Sequence, residues 1–262
     1  MSIWPPAPAP DIAPGIVYFL LPAYNEAEGI VVQLETIQRQ MERRQFAYEI
    51  VVVDDGSADE TSALVRRMAE KLPITLLQHP KNLGVGQAFK TGFRHLAARV
   101  RPDDIVITMD ADNTQNLKTV DFMIQKIGEG YEVVLGSCLA TGGRMVGIPL
   151  HRYIFTIGCN TLYRVLFHIK GIHTYTGFYR AHSGRAITAA YQHYGDQLIE
   201  SEGFVVMAEM LIKFRAMLFF ITEVPVIMRY DLKSGMSKMR LARTVTAHVR
   251  VMAANLFKRR VV

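Results

Sequence analysis

From Ile16 onward, short runs of β-branched and aliphatic residues alternate with longer stretches in which apolar side chains recur every three or four places. That alternation spells successive strand–helix units and a mostly parallel sheet. The runs predict strands at Ile16 to Leu21, Glu49 to Val53, Ile74 to Gln78, Ile105 to Met109 and Glu132 to Leu135. Between them the periodic stretches predict helices over Ala27 to Arg44, Ala58 to Leu72, Val85 to Ala98 and Leu117 to Ile127. The second helix opens on Ser57-Ala-Asp-Glu60, a capping-box spelling that offers a hydroxyl and a carboxylate to the first unpaired amides. After Gly136 the alternation loosens into a less regular subregion of the same domain, and a short strand at Val224 to Met228 precedes a basic tail.

Half of the 262 residues are hydrophobic, enough for one large α/β domain with a sizeable core. Residues 1–15 carry Pro5, Pro6, Pro8, Pro10 and Pro14 with no apolar run of signal-peptide length, and read as a disordered or polyproline-like tail. No stretch reaches the ~18 to 20 uninterrupted apolar residues of a spanning helix. Asn160 and Arg164 break the run from Tyr153 to Ile169, and Glu223 and Pro225 break that from Ala216 to Met228. The chain is therefore expected to be cytoplasmic and at most peripheral to a membrane. Cys138 and Cys159 fit neither a disulfide framework nor a zinc spacing, and read as free thiols.

The net charge of +6 is uneven. From Arg229 onward nine Lys or Arg face Asp231 alone, a surplus of +8 that leaves the remainder at −2. In the tail, residues 241–262, Val245, Val249, Met252 and Leu256 recur at helical spacing while Arg250 and Lys258-Arg-Arg260 supply charge. This is the pattern of an amphipathic basic helix lying in an anionic membrane interface; the alternative is a stripe packed onto the domain with its charges solvated.

In open α/β sheets ligands bind beyond the carboxyl ends of the strands, and the polar clusters of this chain stand there. Pro22-Ala-Tyr-Asn-Glu26 follows the first strand, Asp54-Asp-Gly-Ser57 the second and Asp110-Ala-Asp112 the fourth. Two carboxylates around Ala111 offer hard oxygen ligands suited to Mg²⁺ or Mn²⁺. Asp54 and Asp55 can accept from a base N–H or ribose hydroxyls, with Gly56 permitting a tight turn and Ser57 capping the helix. Asn82-Leu-Gly-Val-Gly86 precedes a helix start that could face phosphate, although a structural turn is the better reading. His79 and His95 read as structural, and Glu209 equally as a helical salt-bridge partner or a catalytic group.

These spellings in this order resemble family 2 glycosyltransferases with the GT-A fold, and within them the dolichol-phosphate mannose synthase branch, which uses polyprenyl-phosphate acceptors. The resemblance runs from about Ile16 to Arg240. It implies an α/β, GT-A type Rossmann-like domain over 16–240, with a nucleotide-binding half at 16–136 and an acceptor half at 137–240. It also implies that Pro22, Tyr24, Glu26, Asp54 and Asp55 contact base and ribose. Asp110 and Asp112, with Ala111 between them, would hold diphosphate and metal and be the catalytic pair. Gln115, one place beyond the branch's usual glutamine, becomes the third metal ligand. Gly235-x-Ser237-Lys238 looks like the segment that meets the acceptor phosphate, with Arg229 and Lys233 beside it.

Departures fall on the acceptor side. Cys138 replaces the arginine usual after the Gly-Ser pair, and the arginine of Ser-Gly-Phe-Arg falls on Tyr179, with Arg180 displaced by one. The expected activity is metal-dependent, inverting transfer of a hexose, mannose or glucose, from a GDP- or UDP-linked sugar to a polyprenyl phosphate, with an anionic membrane surface and no nucleic acid as further partner. An anionic acceptor needs no side-chain base. A hydroxyl acceptor would need Glu209, Glu202 or Asp196 as base, and a noncatalytic nucleotide-sugar module docked on membranes is the rival from another class. A nucleotidyltransferase is a weaker alternative.

Overall fold

The computed structural model describes residues 14–232 and 241–258. Strands β1 (Val17–Ala23), β2 (Tyr48–Asp54), β3 (Ile74–Gln78), β4 (Ile105–Thr108) and β5 (Val133–Ser137) alternate with helices α1 (Ile30–Arg44), α2 (Thr61–Ala69), α3 (Val85–Ala97) and α4 (Lys118–Gly128), as the pattern predicts. There follow β6 (Arg144–Val146), α5 (Leu150–Phe167), β7 (Arg180–Ser183), α6 (Gly184–Tyr194), α7 (Val206–Ala216), β8 (Ile221–Pro225), β9 (Ile227–Arg229) and α8 (Leu241–Lys258). The main sheet has seven strands in the order β3-β2-β1-β4-β7-β5-β8. Only β7 runs antiparallel, against both β4 and β5.

Helices cover both faces, so a central strand must be apolar on both. In β1, Tyr18 and Leu20 join the layer of Phe89, Phe93, Ile187 and Met210, while Val17, Phe19 and Leu21 join that of Ile30, Leu34, Val65 and Met123. A strand buried on both sides reads as a continuous hydrophobic run, which is why β1, β2 and β4 were legible.

The second half is more regular than its sequence pattern. α7 was missed because eight of its residues, including Glu209 and Lys213, are buried, so it carries no polar stripe. In β7, Arg-Ala-His-Ser is wholly buried yet has almost no strand-forming character. The predicted strand at Val224 to Met228 is two strands. Pro225 ends the main-sheet pairing with Ser137, and β9 then pairs in parallel with β6 in a separate small sheet.

The capping box is not formed: α2 begins at Thr61 and has no side-chain cap. Ser57 and its neighbours are instead drawn into the loops described below. Residues 1–13 of the proline-rich tail, and Lys258-Arg-Arg260 beyond the backbone of Lys258, lie outside the described residues or side chains. No helix among the described residues is long and apolar enough to cross a membrane.

Candidate active site

The carboxyl ends of β1, β2, β4 and β5 lie on one edge of the sheet, joined by the start of antiparallel β7. The loops after β1 and β2 are laced together there. Asn25 N–H donates to Ser57 Oγ (2.9 Å), Ala58 N–H to Asn25 Oδ1 (2.8 Å), Glu26 N–H to Thr61 Oγ1 (2.8 Å) and Ala27 N–H to Asp59 (3.1 Å). Ser57, Ala58 and Asp59 therefore serve the neighbouring loop, and the helix begins beyond them. Pro22, Tyr24 and Glu26 line this loop half-buried.

Asp54 is fully buried and accepts from Ser57 N–H (3.0 Å), Ser57 Oγ and Ser62 Oγ. Asp55 accepts from His79 Nδ1 (2.7 Å), Leu83 N–H (2.9 Å) and Gly84 N–H (2.8 Å), and His79 Nε2 reaches Thr91 Oγ1 (2.9 Å). The glycine turn 82–86 thus spends its amides on protein oxygens, the third being Gly86 N–H on the carbonyl of Glu202 (3.2 Å). Gly56 has φ +69°, and a Cβ there would lie 2.3 Å from the Lys81 backbone, so only glycine fits between these loops.

At the end of β4, Asn113 takes a left-handed φ of 58° that turns the chain directly after Asp112. Asp110 is half-exposed and Asp112 nearly buried. Thr114 N–H and Oγ1 hold one oxygen of Asp112 at 3.2 and 2.6 Å. Gln115 clasps Asp110 twice, donating from Nε2 to the carboxylate (2.6 Å) and accepting from its N–H (3.1 Å). The side-chain oxygen that would be a third metal ligand is thereby engaged, and Gln115 orients Asp110. Two carboxylates fit a divalent cation that takes its remaining ligands from diphosphate and water. Among the described residues no three acidic, His or Cys side chains converge into a complete protein cage.

The small sheet brings basic residues to this turn. Arg229 N–H donates to Thr114 O (3.0 Å), and its exposed guanidinium pairs with Asp231 (2.7 Å). Tyr230 follows; burial first, then the Asp110 charge, push its phenol up to about 12, with Cys138 and Asp112 acting in the same sense and Arg152 against them. Tyr230 thus feels the charges of both carboxylates and of Arg152, a residue in the first turn of α5. Lys233, Ser237 and Lys238 lie outside the described residues.

The candidate bases are mostly committed elsewhere. Glu209 is buried against Lys213 Nζ (2.6 Å) and accepts from Glu200 and Ser201 N–H. Asp196 pairs with Arg94 on the surface (2.6 Å), whereas Glu202 is exposed. Cys138 and Cys159 are free, and burial raises their thiols to about 11 and about 12.

The family model of glycosyl transferase family 2 matches residues 18–186, a span from β1 into α6 that contains every carboxylate at the strand ends. The chain belongs to glycosyl transferase family 2. This family 2 glycosyltransferase is 28% identical over 149 residues to a dolichol-phosphate mannosyltransferase of Pyrococcus furiosus, covering 57% of this chain and 40% of that protein. It is 36% identical over 129 residues to a dolichyl-phosphate beta-glucosyltransferase of Trichomonas vaginalis, covering 46% of this chain and 37% of that one. The alignments thus span about two fifths of the length of these relatives. In fold it matches a mannosyltransferase from Pyrobaculum calidifontis, solved with GDP-Man and Mn²⁺, at TM-score 0.60 and 20% identity over 97% of this chain and 67% of that one.

Two residues near the strand-end carboxylates escape the sequence expectations. Arg152 lies in a stretch read as irregular, and Tyr230 between two predicted basic contacts. The signal available was Pro149, which precedes the first turn of α5 and marks Arg152 as a residue of a helix start.

Proposed function

We propose that this family 2 glycosyltransferase moves a hexose from a nucleoside-diphosphate sugar to a polyprenyl phosphate, with inversion at the anomeric carbon. The observation that carries the reading is that Asp110, Asp112 and Arg152 all act on Tyr230, next to Arg229, at one strand end, where Glu209 and Asp196 are unavailable as bases. An acceptor phosphate is already anionic at neutral pH and asks only for positive charge and alignment. The dolichol-phosphate transferases among the relatives support the same acceptor class.

Asp110 and Asp112 are the residues that hold Mg²⁺ or Mn²⁺, which when bound supplies neutralisation of the diphosphate leaving group. Gln115 and Thr114 fix the two carboxylates in place. Tyr24, Glu26 and Pro22 form the wall for base and ribose, and a nucleotide reaches Asp54 in exchange for one of its serine hydroxyls. Asp55 acts through the glycine turn. Arg152 and Arg229 receive the acceptor phosphate, together with Lys233, Ser237 and Lys238.

The membrane surface is assigned to α5 and α8 jointly. Thr244, His248 and Met252 turn α8 inward, with His248 Nδ1 2.9 Å from Tyr163 Oη, so half of the expected apolar stripe is packed. Val245 and Val249 remain exposed, as do Leu150, Ile154 (61% exposed), Leu162 and Val165 (74%) of α5. Arg164, Lys170 and Arg250 are exposed on or next to the same helices, a composition suited to an anionic interface.

The test is release of nucleoside diphosphate from a panel of GDP- and UDP-sugars, with and without polyprenyl phosphate and divalent cation. Release that depends on both supports the reading. Transfer to a sugar hydroxyl that is abolished by Glu202→Gln would establish the hydroxyl acceptor instead, and binding without turnover the noncatalytic module.

A further inference from the structure

Arg180 is fully buried, and none of the described carboxylates pairs with it. Its guanidinium donates to three carbonyls: Nε to Gly177 O (2.9 Å), Nη1 to Met207 O (2.7 Å) and Nη2 to Tyr175 O (2.6 Å). A buried cation without a counter-ion is costly, and burial pulls this one down to about 9. An apolar side chain fills such space at lower cost. What the planar fork alone provides is a simultaneous hold on two segments, the 175–177 loop and the first turn of α7.

The same loop is held from every other side. Glu223 accepts from His173 N–H (2.8 Å) and Thr174 N–H (3.3 Å), and Asn160 Oδ1 from Tyr175 N–H (2.6 Å) and Thr176 N–H (3.3 Å). Ser137 Oγ meets Thr174 Oγ1 (2.8 Å). Continuing the antiparallel register in which Thr108 faces Arg180 carries β4 toward Asp110 and β7 back toward Phe178, at the same edge. The loop is therefore a lip beside the catalytic carboxylates, and Thr176-Gly177 is its half-buried part next to β7. Displacement of the arginine by one residue turns it to the opposite face of the sheet from Tyr179, so that each is buried in a different layer. It cannot touch substrate.

We propose that Arg180 is a positioning residue: it fixes the Thr176-Gly177 lip against which the transferred sugar and its acceptor are aligned, so that it governs transfer and not nucleotide binding. This rests on the glycosyl-transfer reading. A lip held through seven hydrogen bonds to buried side chains is preorganised, and small misplacement of a positioning element costs up to ~10²-fold in rate.

Arg180→Met and Arg180→Lys are compared with Asn160→Ala, which releases the lip from its other side and serves if the methionine variant does not fold. Amide exchange over 173–179 should rise in Arg180→Met and Asn160→Ala while β1 and β4 stay protected. Transfer should fall roughly 10- to 100-fold, nucleotide affinity should hold within about twofold, and the share of donor lost to hydrolysis should rise, with Arg180→Lys between them. Folded Arg180→Met that transfers within about twofold of wild type, or loses nucleotide affinity in step with rate, overturns the proposal. Wild-type protein that turns over no nucleotide sugar overturns the underlying reading and this inference with it; active wild type with unaffected variants overturns the inference alone.

Discussion

His182 lies on the same face of β7 as Arg180, fully buried between the rings of Phe93 and Phe214, and neither ring nitrogen has a hydrogen-bond partner. Burial, then the charge of Arg180, lower its pKa from 6.5 to about 3. The unfolded chain therefore takes up this proton first. Between about pH 6.5 and pH 3 the unfolded state binds more protons than the folded one, so stability falls as pH falls; above 6.5 the group has no effect. From pH 7.5 to 5.0 the loss from this one side chain is about 2 kcal/mol. His182→Leu removes it, and also removes two unsatisfied buried nitrogens, so the variant should equal or exceed wild type in stability at pH 7.5. Equilibrium urea unfolding of both proteins at the two pH values reads the difference directly, because His248, also lowered by burial, to about 4, cancels. Equal losses in wild type and variant would refute the argument and place a solvated proton path at β7.

Asp112→Ala should cut turnover by more than about tenfold, a loss of ~1.4 kcal/mol or more in transition-state binding, with the fold intact; retention of rate in a steady-state assay removes Asp112 from the metal pair. Lys213→Met leaves Glu209 buried and unpaired, and should destabilise by about 3 to 5 kcal/mol in denaturant titrations. The double variant Glu209→Gln with Lys213→Met should recover much of that, and a double variant no better than the single would show that the pair is not the source. Ile154→Asp with Val165→Asp should reduce cosedimentation with anionic liposomes while leaving thermal melting unchanged; undiminished cosedimentation excludes the α5 face.

The strand-end loops of the first half were legible because chemistry and periodicity coincide there: each polar cluster ends an apolar run, and the run itself fixes where its last side chain stands. What those side chains do once in place was less legible. Asp54 and Asp55 were read as ligand contacts, yet their oxygens are largely engaged by Ser57, Ser62, His79 and the glycine turn. Sequence proximity cannot show that His79, 24 residues away, closes on Asp55. In the second half of the chain the signal fails for a physical reason. α7 and β7 bury Glu209, Lys213, Arg180 and His182, so these elements look polar where a core element should look apolar. The resemblance implies Gln115 as a metal ligand, and only the structure shows its amide clasping Asp110.

The placement of β7 between β4 and β5 has a consequence for how the molecule is assembled. β1, β2 and β3 pair through single helical crossovers and β4 joins β1, but β4 and β5 never pair with each other: β4 lacks its second neighbour until Arg180 to Ser183, and β5 lacks both of its neighbours, β7 and β8. Until the ribosome has released those segments, a nascent chain holding the first five strands carries the open edge of β4 and an unpartnered β5, both rich in β-branched residues. Such edges are templates for pairing with other chains, and contacts closed late across long separations are slow to form. A fragment ending before residue 180 is therefore expected to aggregate where one ending after β8 stays dispersed.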